Sequence, residues 1–202
     1  MTLPANITAT TQTHLDSLIH EKAEEGQHLD FKREIPAAWD GKAKHDLVSD
    51  ASAFANAGGG WLIYGMEQDD IGCAKALSPS EFNPDTGTMQ MESILRDNIE
   101  PRLPVCRVQP VKVNVGGVEG YAVVVEVPQS WQRPHRARTN RDFYLRVGKQ
   151  SRPVDVPELK GMVLRSEGQA QRIRDFRTER LARILSRETP CPFKAEPALV
   201  LH

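Results

Sequence analysis

The stretch from Glu25 to Gly72 constrains the fold more than any other part of the chain. It holds two acids, Glu25 and Asp30, around a short apolar segment, and Lys32 and Arg33 follow Phe31 at once. Leu47, Val48, Ala51, Phe54 and Ala55 then fall on one helical face, so the period predicts a helix over Lys42 to Ala57. Gly58-Gly59-Gly60 stops it, because glycine takes a left-handed C-terminal position without strain. The run from Trp61 to Met66 predicts a buried strand, which delivers Glu67, Asp69 and Asp70 to the turn beyond. Strand, helix and strand in that order can bring separated carboxylates to one sheet end.

The other segments predict an α+β chain: a mixed sheet with flanking helices, plus a C-terminal helix. Thr13 to Glu25 and Thr88 to Ile99 read as helices, the second stopped before Pro101. Leu29 to Arg33 and Phe143 to Val147 read as strands. Val105 to Val115 and Val118 to Val127 read as a hairpin around Gly116-Gly117. Pro36 to Gly41 and Asp69 to Pro84 read as loops. Pro157 to Arg187 reads as a helix with Ile173, Phe176, Leu181 and Ile184 along one stripe. The predicted organisation is a disordered start at 1–10, a domain over 11–165, a basic helix over 166–188 and a proline-containing tail over 189–202.

With 202 residues, 39% of them hydrophobic, the chain can bury a proper core. No apolar run approaches the roughly 18 residues a membrane span needs, and the first residues show no secretory pattern. Cys73, Cys106 and Cys191 lie far apart, which suits a reducing cytoplasm and argues against a cysteine zinc site. The net charge of −1 hides an asymmetry: Arg133 to Arg187 carries 15 Lys plus Arg against 6 Asp plus Glu. An acidic part suited to metal thus adjoins a basic part suited to phosphate.

Two readings compete for the acids. Glu25, Asp30 and one of Glu67 or Asp69 can hold a hard divalent ion such as Mg²⁺ or Mn²⁺, which would activate water against a phosphodiester. Alternatively Glu25 ends a helix and Asp30 pairs with Lys32 or Arg33, and spacing alone favours this. The three glycines follow a helix rather than precede one, so helix termination outweighs a phosphate cradle. Lys32, Arg33, Arg133, His135, Arg136, Arg138, Arg141 and Arg146 are the candidate contacts to a nucleic-acid backbone. Trp131, Tyr144 and Trp39 are candidates for base stacking, with core packing as the alternative. For His135 a structural role outweighs a general-acid role.

The blocks Glu25-x4-Asp30-Phe31-Lys32, Ala53-Phe54-Ala55-Asn56-Ala57-Gly58-Gly59-Gly60 and Ile63-Tyr64-Gly65-Met66-Glu67 resemble the Schlafen AlbA-type domain. Val127-Pro128-Gln129-Ser130-Trp131 with Pro134-His135, and Phe143-Tyr144-Leu145-Arg146-Val147-Gly148, are similar to two further family segments. The resemblance covers about residues 20 to 165. It implies a nucleic-acid-binding domain, with RNA such as tRNA or rRNA as ligand and Mg²⁺- or Mn²⁺-dependent endoribonuclease activity. Glu25, Asp30 and a third acid, Glu67 or Asp69, would then be the metal ligands. Lys32 and Arg146 would steady phosphate. Asp30 stands where the family usually has Glu, and Gln68 interrupts the run of acids. The alternative is a non-catalytic regulatory module binding DNA or a nucleotide such as ATP. Schlafen cores are built as two related lobes, whereas this chain shows one motif set, so a homodimer through the C-terminal helix is expected, the alternative being that the helix's apolar stripe packs back on its own sheet.

Overall fold

The structure is a computed structural model that describes residues 3–4, 6–103, 105–186 and 188. Expectations for Arg187, Cys191 and the 189–202 tail lie outside the described residues. In chain order the elements are α1 (Gln12–His20), β1 (Leu29–Lys32), α2 (Gly41–Asn56), β2 (Gly60–Tyr64), β3 (Met66–Gln68), β4 (Ala74–Leu77) and α3 (Pro84–Asn98). They continue as β5 (Ile99–Glu100), β6 (Arg107–Val115), β7 (Val118–Val127), β8 (Arg136–Ala137), β9 (Tyr144–Val147), β10 (Gln150–Pro153) and α4 (Val156–Leu185).

Four strands form the central sheet in the order β1-β2-β7-β6. β1 and β2 are parallel, with Asp30 opposite Leu62 and Lys32 opposite Tyr64. The other pairs are antiparallel. A parallel pair needs a crossover between its strands, and α2 is that crossover. Both faces of the sheet are covered. Leu62, Tyr64, Val123, Val125 and Val127 pack toward α2 and α3. Phe31, Ile63, Ala122 and Val124 pack toward α1 and the β3–β4 hairpin. Burial on both faces is why β2 and β7 read as continuous apolar runs instead of alternating ones.

The mixed α+β class and the C-terminal helix agree with the sequence reading, and several boundaries differ. Residues 1–10 are not a disordered start where described: Ile7–Ala9 is a 3₁₀ turn capped by Asn6, and Leu3 and Ile7 are buried. The first helix stops at His20, not Glu25. Lys22 turns to φ +50°, and the chain beyond it pairs with the 72–74 loop through Glu25 N to Gly72 O. The expected loop from Asp69 to Pro84 contains β4. The α4 helix opens on an Asp155–Glu158 capping box, which satisfies two orphan N–H groups. Met162 is buried at its start, whereas Ile173 and Leu185 are 64% and 84% exposed. Its apolar stripe is therefore not packed back on the sheet.

Candidate functional site

The candidate site is an open cleft of 840 Å³ lined by Glu25, Asp30, Lys32, Arg33, Asp46, Tyr64, Gln68 and Lys149, among others. β1 creates its chemistry by alternation. Leu29 and Phe31 pack on the α1 side, so Asp30 and Lys32 project to the other side, toward α2. There Lys32 Nζ lies 2.9 Å from Asp30 Oδ2 and 2.9 Å from Asp50 Oδ2. The Asp30 contact is a charge pairing without hydrogen-bond alignment. Asp30 Oδ1 accepts from an Arg146 guanidinium N–H at 2.9 Å. Cation and carboxylate thus alternate along Arg146, Asp30, Lys32 and Asp50.

Each charge perturbs its neighbours. Burial pushes the Glu25 carboxyl up, the Phe31 N–H opposes that, and the adjacent Asp30 carboxyl raises it further. Burial also raises Asp50, with Lys32 offsetting part of the effect. For Lys32, burial alone would lower the pKa, but the Asp50 and Asp30 charges outweigh it and raise the ammonium above its usual range. Burial and the nearby carboxylates push the Tyr64 phenol well up, so it stays a neutral hydroxyl rather than a base.

Glu25 and Asp30 both line the cleft, whereas the two acids considered as third ligand are engaged elsewhere. β3 turns Glu67 outward to Arg33, with Oε1 3.1 Å from Nε. Asp69 folds onto its own turn, and its Oδ1 accepts Ile71 N at 3.1 Å and Cys73 N at 2.8 Å. The residue between them faces the cleft: Gln68, with its amide oriented to donate, places nitrogen 2.7 Å and 3.1 Å from the two Glu25 oxygens. The described residues contain no group of three His, Cys, Asp or Glu placed to share a cation. Asp30 engages a cation at each oxygen, and Glu25 accepts N–H from Phe31 at 2.8 Å and from Gln68. This donor set does not fit a hard divalent ion, which wants several unengaged carboxylate or carbonyl oxygens.

Three of the expected phosphate contacts turn inward. Arg146 is 2% exposed. Its Nε donates to Gly26 O and Gly148 O, both at 3.0 Å, and its guanidinium lies over the Phe54 ring at 5.0 Å. Arg133 donates to Asn56 O and Ala57 O at 3.3 and 3.1 Å, capping the negative end of α2. His135 is fully buried, with Nδ1 2.6 Å from Pro101 O and Nε2 2.6 Å from Ser130 Oγ. Its burial lowers the ring pKa, with the Pro101 carbonyl opposing, so the ring is a neutral structural group.

The remaining cations stay nearer the surface. Arg136 pairs with Glu100 Oε2 at 2.8 Å, Arg138 lies 3.7 Å from Glu100 Oε1, and Arg141 is exposed in the turn before β9. Of the aromatics considered for stacking, Trp39 packs edge-on against Tyr64 and Tyr144 is buried, whereas Trp131 is 62% exposed.

The glycine run is absorbed by packing. Gly59 has φ +75°, and a Cβ there would lie 2.6 Å from Gln129 N; at Gly60 it would meet the Phe54 ring at 2.6 Å. Gly59 N donates to Phe54 O at 2.8 Å, so it is not offered to a nucleotide phosphate. Sequence reasoning missed Asp50 and Asn56, two of the buried polar groups of α2. Asp50 lies four residues before Phe54, on the same helical face, and that spacing was the available signal.

No curated protein matches this chain. Among solved structures, the DIP2311 protein from Corynebacterium diphtheriae is similar at 21% identity and a TM-score of 0.46. The match covers 71% of this chain and 26% of that one, so the chain spans about a quarter of that protein's length. The sequence model of the Schlafen, AlbA_2 family matches residues 25–155, well over half of the chain, and the chain belongs to that family.

Proposed function

We propose that the chain is a nucleic-acid-binding module, with RNA as its ligand, that grips phosphates through its C-terminal arginines. The observation that carries this reading is the exposure of the positive excess. Arg138, Arg141, Arg165, Arg172, Arg177 and Arg183 all stand in solvent, while Lys32 and Arg146 are paired with Asp30 and Asp50. Guanidinium groups suit bidentate phosphate contact, and the exposed Trp131 can stack on an unpaired base. Metal-dependent cleavage is not part of this reading, because the donor set at Glu25 and Asp30 does not fit the metal. No helix among the described residues is long and apolar enough to cross a membrane.

Anisotropy with labelled tRNA, single-stranded RNA, single-stranded DNA and a fluorescent ATP analogue tests the proposal. RNA affinity is expected to fall with salt at a log–log slope of about −0.7 per phosphate neutralised. Arg141→Ala, Arg172→Ala and Arg177→Ala each flatten the slope by about one contact where that residue touches phosphate. Salt-independent binding, or a triple variant that binds like the parent, removes this surface. Preference for DNA or for the ATP analogue transfers the reading to a regulatory module.

We also propose that two copies associate through α4. Leu164, Ile173, Leu181 and Leu185 are all exposed on that helix, and isologous pairs are the commonest oligomers. Light scattering at micromolar concentration is expected to give twice 22.6 kDa, reduced by an Ile173→Glu/Leu181→Glu variant that keeps its helical signal. A parent mass near 22.6 kDa rules the dimer out at that concentration.

A further inference from the structure

We propose that Gln68 sets the ionic character of the cleft: an amide at the position facing Glu25 leaves Lys32 as the resident cation, and the cleft takes no divalent metal. The inference does not depend on RNA binding.

Strand geometry selects position 68. Glu67 faces Arg33, Asp69 closes its own turn, and only the residue between them reaches Glu25. What it presents there is a donor. With the amide turned to donate, its nitrogen lies 2.7 and 3.1 Å from the Glu25 oxygens, and turning the amide oxygen toward a metal instead would give up both bonds. A neutral amide also adds no negative charge to balance a second positive ion. Opposite it, Lys32 Nζ stands 2.9 Å from oxygens of two different carboxylates, Asp30 and Asp50, which is the bridging role a cation would fill. Arg146 holds the other Asp30 oxygen. A divalent ion entering this cluster would meet an ammonium and a guanidinium with their charges already matched, and like charges at such separations repel strongly.

The test uses the full chain and Mn²⁺ itself, read by the free-ion electron paramagnetic resonance signal, with melting followed by circular dichroism. The parent protein is expected to leave the Mn²⁺ signal and its own melting temperature unchanged. Gln68→Glu keeps the side-chain length and converts the donor into a carboxylate. It is expected to take up one Mn²⁺ per chain at least about tenfold more tightly than the parent, and to melt higher with Mn²⁺ than without. Gln68→Asp serves as the second variant, and Lys32→Met, which removes the resident cation, shifts uptake the same way. Parent uptake of Mn²⁺ that disappears in Glu25→Gln overturns the proposal. So do folded Gln68→Glu and Gln68→Asp proteins that both leave the Mn²⁺ signal untouched.

Discussion

Replacing Arg146 with methionine lowers the unfolding free energy by about 3–5 kcal/mol, the usual consequence of removing one partner of a buried ion pair. The guanidinium is 2% exposed and serves four oxygens: Gly26 O, Gly148 O, Leu29 O and Asp30 Oδ1. Methionine fills much of the volume over Phe54 but leaves three carbonyls and a buried carboxylate short of donors. For a chain of this size that is a drop of about 10 °C in melting temperature. Arg146→Lys keeps the charge, yet one ammonium cannot reproduce a planar fork that reaches four acceptors, so it falls between parent and methionine. Adding Asp30→Asn to Arg146→Met recovers part of the loss, since the stranded carboxylate is gone. Urea denaturation of the four proteins checks the order. A methionine variant within about 1 kcal/mol of the parent, well below the buried-pair range, that has lost RNA affinity would return Arg146 to the phosphate surface.

Arg146 also shows where reading the sequence stops. A charged side chain in a basic segment is expected in solvent. Its partner, Asp30, lies 116 residues earlier, and only the packing of β9 against α2 and β1 brings the two together. The framework was legible because it rests on local signals. The α2 face, its glycine stop, the apolar β2 run and the valine hairpin each declare themselves within one continuous stretch of sequence. Asp30 with Lys32 was legible for the same reason, since residues two apart on a strand share a face.

The choice among the acids after β2 was not legible. Gly65 takes φ +81° and breaks the strand, and the β3–β4 register shifts between Glu67 and Gln68. Parity therefore cannot be counted from Trp61 to Tyr64 into the next segment. An acid-based reading weighs Glu67 against Asp69, whereas the side chain facing the cleft is the glutamine between them. α4 failed as a folding signal in the opposite way. Its apolar stripe was plain, but a stripe does not say whether it faces its own sheet or another surface.

Asn56→Asp is expected to destabilise by about 3–5 kcal/mol as well, through buried groups left without partners. Asn56 ends α2 fully buried. Its amide nitrogen donates to His135 O at 2.7 Å and Tyr144 O at 2.8 Å, and its oxygen accepts His135 N at 2.7 Å. One side chain thus ties α2 to the β8 approach and to β9, the strand that carries Arg146 to Asp30. Aspartate has the same shape and no donors. It sets a carboxylate oxygen against two carbonyl oxygens in a dry site, which raises its folded-state pKa above the unfolded value of about 3.9. A raised pKa stabilises fully below the unfolded value, and that contribution is lost as pH rises through the folded one. The deficit of Asn56→Asp against the parent therefore shrinks between about pH 7 and about pH 5. Asn56→Ala removes the same bonds but has nothing to protonate, so its deficit stays level across that window. Denaturant titrations at both pH values separate the two variants. Parallel behaviour of aspartate and alanine would mean that water reaches this site and that Asn56 is not the dry tie between α2 and β9.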